Sequence, residues 1–244
     1  MRRLVDSFMG LTHLGNLPVR ARDGIAKGAR WTLYPFSSYW RGTSDREAIA
    51  WVDRFCRPGG AALDLGAHFG LYTVGMARRL GPSGQVVALE PEAVARGRCM
   101  RHVRMNRLDW VRVYAEAASS TTGKIRLVDN GGAGSTTCFV SRDSEIGLEL
   151  PCVRLDDLYA RDGLRLPNFI KIDVENHGAE ALDGARNLLS AHPNILMSFH
   201  SEQELAGAES ILAPLGYQVT SLAGEPVDWS QALYKTAILT APSG

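Results

Sequence analysis

Five short apolar runs recur along the chain, each followed by polar or acidic residues and a stretch with helical spacing: 61–65 (AALDL), 85–91 (QVVALEP), 111–115 (VRVYA), 169–174 (FIKIDV) and 194–199 (NILMSF). Runs of this length are strand-sized, and apolar residues at successive positions call for burial on both faces. Leu71, Val74, Met76 and Ala77 mark a helix after the first run. Residues 92–106 mark another, with Val94, Met100 and Val103 set inward and the arginines outward. Ser44 reads as an N-cap, with Glu47 as its capping-box partner, for a helix carrying Ile49, Val52 and Phe55 on one face. Strands alternating with helices predict an α/β, Rossmann-like fold with a mostly parallel sheet covered by helices on both faces. Runs at 124–128 (KIRLV) and 148–155 (LELPCVRL), joined by the Gly- and Ser-rich 129–144, predict a small antiparallel insertion. Residues 216–222 and 235–242 predict a closing hairpin.

The first 45 residues follow a different pattern. Residues 1–15 read as an amphipathic segment, with Asp6 and His13 interrupting any signal-peptide core. Trp31, Tyr34, Phe36, Tyr39 and Trp40 form an aromatic cluster that could cap a neighbouring cleft or anchor the segment on the core. The expected division is an N-terminal arm or cap over 1–45 and a ligand-binding domain over 46–244. With 22% charged residues and a net charge of +1, no global field points to nucleic acid or an anionic membrane as partner. Cys56, Cys99, Cys138 and Cys152 contain no C-x-x-C pair, which argues against zinc and for buried thiols. No stretch has the roughly 18 to 20 apolar residues that span a bilayer. A soluble cytoplasmic protein is the expectation.

Parallel sheets bind ligands beyond the carboxyl ends of their strands. The residues there are Asp64 to Gly70, Glu90, Glu116 and Asp173. Gly66 and Gly70 let the backbone turn close to a ligand at a helix N-terminus. Glu90, at the end of the second run, is suited to accept hydrogen bonds from both ribose hydroxyls of an adenosine derivative. A dinucleotide and S-adenosylmethionine both fit this spacing. The G-x-x-x-G pattern preceded by Asp64 disfavours a pyrophosphate, because a carboxylate repels it and suits an amino group. An NAD-linked oxidoreductase and a non-catalytic adenosine-ligand-binding protein are the alternative readings.

The segments LDLGAHFGLYT, VVALEPE, LELPCVRLDDL and FIKIDVENHGAEALDGARNLL together resemble the FkbM-type S-adenosylmethionine-dependent methyltransferases over about residues 42–242. The resemblance implies the class I methyltransferase sheet of seven strands with the last antiparallel, S-adenosylmethionine as cofactor, and O-methylation of a small molecule such as a sugar or glycosylated natural product. It places Asp64, Gly66, Ala67, His68 and Gly70 against the methionine portion, with Tyr72 or Thr73 near its carboxylate. Glu90 would hold the ribose, Glu116 and Ala117 would flank the adenine, and Asp173 would lie near the transferring methyl group. Four positions depart from the family pattern: His68 for Asn, Asn176 for Gly, Gly178 for Glu, and Ser198 for an acid. His200, Asp173 and His177 are the candidate bases, with His200 favoured by the ordinary histidine pKa near 6.5. Asp173, Glu175, His177 and His200 could offer oxygen and nitrogen ligands near one strand end, so a divalent metal is possible but not favoured.

Overall fold

The computed structural model describes residues 17–33, 38–129, 138–141 and 147–242. The amphipathic segment 1–15, Tyr34, Phe36 and most of the Gly- and Ser-rich 129–144 lie outside the described residues. In chain order the strands are β1 (Pro18–Arg20), β2 (Arg30–Thr32), β3 (Ala61–Leu65), β4 (Gln85–Leu89), β5 (Val111–Tyr114), β6 (Ala117–Ala118), β7 (Gly123–Asp129), β8 (Cys138–Ser141), β9 (Leu148–Val153), β10 (Phe169–Ile172), β11 (Asn194–Ser198), β12 (Gln218–Ser221) and β13 (Thr236–Thr240). The helices are α1 (Ser38–Arg41), α2 (Ile49–Phe55), α3 (Leu71–Leu80), α4 (Ala93–Met105), α5 (Leu155–Asp162), α6 (Gly178–Asp183), α7 (Arg186–Leu189) and α8 (Glu202–Leu212).

Seven strands form the central sheet in the order β12-β13-β11-β10-β3-β4-β5. The five expected apolar runs are its parallel members. β13 runs antiparallel to both β11 and β12, so the closing pair joins the sheet as expected. Alternate residues of each strand feed separate cores: Leu63, Leu65, Val87, Leu89, Ile170 and Ile172 on one face, Ala62, Val86, Ala88 and Phe169 on the other. Both faces are therefore dry, which is why these strands read as apolar runs. β7 and β9 pair antiparallel in a second sheet, ordered β6-β9-β7-β8, rather than extending the first.

The β1–β2 hairpin is anchored on the main core. Trp31 stacks on His102 at 3.7 Å, and Ala21, Ile25 and Ala29 are buried in the same cluster as α3. Gly75 of α3 admits Ile25, since a Cβ there would meet the Ile25 carbonyl oxygen at 2.8 Å.

Two local expectations are corrected. On α4 the inward stripe is Ala95, Cys99, His102 and Val103, while Val94 is 63% exposed and Met100 38%. The His102 imidazole supplies hydrogen bonds that a count of apolar positions does not see. Its ring bridges the Phe69 carbonyl oxygen at 2.7 Å and the Thr32 hydroxyl at 2.7 Å. Ser44 does not cap α2: its hydroxyl bonds that of Ser38, and the chain enters a 3-10 turn at Arg46–Ala48 through Asp45, which has φ 51° and makes no side-chain cap bond. Among the described residues no helix is long and apolar enough to cross a membrane. Cys56, Cys99 and Cys152 are buried free thiols.

Candidate active site

The site begins where β3 ends. Gly66 has φ 75°, and a Cβ there would collide with the carbonyl oxygen of Asp173, so only glycine lets this turn pass under the end of β10. The N–H groups of Gly66 and Ala67 both donate to the Leu89 carbonyl oxygen at 3.1 Å, tying the turn to β4. His68 follows in the left-handed region at φ 49°. That conformation is the one asparagine tolerates best among residues with a side chain, so histidine pays some strain here in place of the family's usual residue. Gly70, at φ 85°, starts α3. Asn176 likewise has φ 56°.

Glu90 closes the turn from β4. Its Oε2 accepts from the His68 N–H at 2.7 Å and its Oε1 from the Glu92 N–H at 2.9 Å. Burial pushes its pKa up, and these two backbone donors oppose that shift. Each carboxylate oxygen has a second lone pair left for a ligand hydroxyl.

Asp64 is 0% exposed. Its Oδ2 accepts from Thr73 Oγ1 at 2.5 Å, while Oδ1 has no hydrogen-bond partner within the described residues. Across the register lies Lys171, buried in the middle of β10, with Nζ 3.5 Å from Asp64 Oδ1, 3.7 Å from Asp173 Oδ2 and 2.9 Å from the Gly66 carbonyl oxygen. Burial opposes the lysine charge, but Asp64 and Asp173 outweigh it and hold the pKa above its ordinary value. The tool of this arrangement is charge: one ammonium holds the ends of two strands and two carboxylates together.

Asp173 follows β10 with its side chain 46% exposed. Burial alone would raise its pKa, but the Lys171 charge and a His200 hydrogen bond hold it far below the usual carboxylate range. His200, after β11, has Nε2 3.4 Å from Asp173 Oδ1 and 3.7 Å from Glu175 Oε2, and Nδ1 3.3 Å from Glu204 Oε2. Hydrogen bonds that its ring nitrogens donate to Asp173 and Glu204 raise its pKa to about 10. Ringed by carboxylates, His200 is held toward the imidazolium, a form with no lone pair to receive a proton. His177 points elsewhere, with Nε2 3.1 Å from the Ser119 hydroxyl and Nδ1 3.6 Å from Glu180, and is buried.

Tyr72 places its ring below Lys171, 5.4 Å from Nζ, and lines an open-mouthed cavity of about 420 Å³ with Thr43, Asp45, Leu222 and Thr236. The Thr236 hydroxyl bonds Ser198 at 2.8 Å, the position that departs from the family's acid. Thr236 pairs with Ser198 at the end of β11 and the Tyr72 ring faces Lys171, which sets the cavity beside the strand ends. Tyr39, from the N-terminal segment, reaches the glycine turn, its hydroxyl 3.1 Å from His68 Nδ1. Glu116 lies past β5 with its carboxylate 3.4 Å from Arg161, and Ala117 opens β6 as a buried residue.

The chain's donors fit S-adenosylmethionine. Each Glu90 carboxylate oxygen keeps a lone pair for a ribose hydroxyl beside the Gly66 turn, while Asp64 Oδ1 already faces the Lys171 ammonium at 3.5 Å. Lys171 and Glu204 were missed on the sequence. The signals existed: a lysine inside an apolar run opposite an aspartate in its neighbour, and a glutamate at 204 spaced four from Ala208 and seven from Ile211 on the apolar face of α8. Among the described residues no group of three or more His, Cys, Asp or Glu has an arrangement that could hold a metal ion.

The profile of the methyltransferase FkbM domain matches residues 64–219. No curated protein sequence matches the chain. Similar solved structures include an rRNA methylase from Streptococcus thermophilus (9% identity, 81% of this chain and 96% of that chain, TM-score 0.50). A SAM-dependent O-methyltransferase from Thermotoga maritima (12%, 88% and 68%, TM-score 0.49) is also similar. So is Aeropyrum pernix fibrillarin with natively bound S-adenosyl-L-methionine (16%, 77% and 68%, TM-score 0.47). At these identities the likeness speaks to the fold alone; the profile match, spanning more than half of the chain and both the Gly66 turn and the Asp173 loop, carries the assignment. The chain belongs to the methyltransferase FkbM domain family and is an S-adenosylmethionine-dependent methyltransferase.

Proposed function

We propose that the chain methylates a hydroxyl of a small molecule, a sugar or glycosylated natural product, with Asp173 as the group that receives the hydroxyl proton. The observation that carries this reading is a half-open carboxylate, held ionised between Lys171 and His200, at the strand end beside the Gly66 turn. The cavity of about 420 Å³ next to it is of small-molecule size. The glycosidic class rests on the family resemblance.

When bound, S-adenosylmethionine supplies an electrophilic methyl group on a good leaving group. The demand on the protein is then alignment, with the acceptor oxygen about 3 to 3.5 Å from the methyl carbon. Asp173 would orient the hydroxyl and take its proton as the new O–C bond forms. A strong base is not required, since an oxygen being methylated becomes steeply more acidic. His200 would keep the Asp173 carboxylate aimed. Asp64, Gly66, Ala67, His68 and Gly70 would hold the methionine portion, with Tyr72 beside it; Thr73, already bonded to Asp64, would act through that aspartate. Glu90 would hold the ribose, and Glu116 and Ala117 the adenine edge. Residues 1–45 would cap a catalytic domain of residues 46–244, a role supported by the Tyr39–His68 contact.

The test uses methyl-labelled S-adenosylmethionine with neutral glycosides, amines and thiols as acceptors. Transfer to a glycoside hydroxyl, falling about 10² to 10⁴-fold in Asp173→Asn while S-adenosylhomocysteine still binds, is the expected result. Transfer only to amines or thiols would overturn the acceptor class, and wild-type turnover by Asp173→Asn would remove its role.

A further inference from the structure

We propose that Glu204, which the cofactor and acceptor readings leave unused, is the positioning residue of the transfer site, tying the loops after β10 and β11 together and aiming His200 at Asp173. The inference rests on the reading that Asp173 is the group that acts on the acceptor.

Glu204 lies in the first turn of α8 and is 2% exposed. A buried carboxylate is costly unless its oxygens are satisfied, and those of Glu204 are satisfied by two separate loops. Oε1 accepts from the Gly178 N–H at 2.8 Å, at the start of α6. Oε2 accepts from the His200 N–H at 2.7 Å and lies 3.3 Å from His200 Nδ1. One side chain thus joins the segment that carries Asp173 and Glu175 to the segment that carries His200. Fixing both the backbone and Nδ1 of His200 leaves only Nε2 to turn outward, and there it meets Asp173 at 3.4 Å.

Gly178 is the complement of this arrangement. Its φ is not in the left-handed region, so backbone freedom does not explain it. Space does: a Cβ at 178 would stand 2.7 Å from Glu204 Oε1 and 2.5 Å from Met197 Cε. The missing side chain makes room for the carboxylate arriving from α8.

The charged groups that face His200 are Asp173 and Glu175 from the loop after β10 and Glu204 from α8. Glu204→Gln isolates the role. Its amide oxygen can still accept from the Gly178 N–H, preserving the structural half, while its NH₂ opposes the donors of His200. The experiment is nuclear magnetic resonance of ¹⁵N-histidine-labelled full-length protein, with calorimetric titration of S-adenosylhomocysteine alongside. The wild type is expected to keep both His200 nitrogens protonated at pH 8. Glu204→Gln is expected to lower the His200 titration midpoint by about one pH unit or more, with S-adenosylhomocysteine affinity unchanged. A midpoint equal to wild type in a folded Glu204→Gln would overturn the proposal. Should that variant not fold, the wild-type spectrum still decides, because an unprotonated Nδ1 at pH 8 is incompatible with the Glu204 contact. Failure of the Asp173 reading shows separately, as Asp173→Asn turning over normally while the His200–Glu204 link persists.

Discussion

The N–H of His68 donates to Glu90 Oε2 at 2.7 Å, so the glycine turn after β3 and the acid after β4 are joined without a ligand. A ligand that reaches Glu90 therefore meets a preformed surface and has little ordering to offset. Glu90→Ala should weaken S-adenosylhomocysteine binding roughly ten- to hundredfold, the equivalent of losing charged hydrogen bonds of about 1.5 to 3 kcal/mol. Calorimetric titration reads this directly. Affinity equal to wild type would mean that the ribose is held elsewhere.

Two glycines with positive φ should respond differently to alanine. Gly66→Ala meets both left-handed strain and the Asp173 carbonyl oxygen, so the ends of β3 and β10 must part. Strain of about 1 kcal/mol plus overpacking of about 1 to 3 kcal/mol is expected. Gly163, at φ 58° after α5, has nothing within 4 Å of the added Cβ, so Gly163→Ala should cost only the strain. Denaturant unfolding of both variants settles it, and equal losses would show that the turn can relax around a methyl group.

Lys171→Met should be among the most damaging changes to stability. It leaves the fully buried Asp64 without its cation, beside a half-exposed Asp173, and breaking a buried pair in this way typically costs about 3 to 5 kcal/mol. Adding Asp64→Asn to the same chain should recover part of the loss. If the double variant unfolds as easily as the single one, the lysine contributes through packing and not through its charge.

Stability should decline at both ends of the pH scale, for opposite reasons. Burial pushes the pKa of His102 down to about 4, so its folded form refuses a proton that the unfolded chain accepts near 6.5, and stability is lost as pH falls through that window. His200 is the reverse. Its pKa is raised to about 10 by Asp173 and Glu204, so its contribution is full below about 6.5 and is lost as pH rises through 10. Thermal unfolding of His102→Gln and His200→Gln across pH should flatten the acid and alkaline slopes respectively. An unchanged alkaline slope in His200→Gln would sink the second half of this argument.

The parallel strands were legible because burial on both faces leaves no polar alternation to misread, and the seven-stranded sheet with its last strand antiparallel followed from the family resemblance. Glu90 and the Gly66 turn were legible as well, since their positions depend on strand ends alone. Lys171 was not, although Asp64 sits opposite it in register, because reading a pair requires knowing that β3 and β10 are neighbours although residues 66–168 separate them. Val94 and Cys99 show a second limit: both are apolar, and only the packing of His102 against Thr32 and Phe69 decides which stripe of α4 turns inward. His200 shows a third. Its ordinary pKa is a property of the residue, whereas its actual charge is set by Asp173, Glu175 and Glu204, from segments remote in sequence.

β13 lies between β11 and β12 and pairs with both, although it is the last of the sheet's strands in sequence. During synthesis, then, β12 has no partner and β11 an open edge until residues 236–240 emerge from the ribosome. The half of the molecule that bears Asp173 and His200 should assemble late, with its edges open to mispairing until that moment, and a truncation that removes β13 should cost the sheet β12 as well, while β11 stays paired with β10.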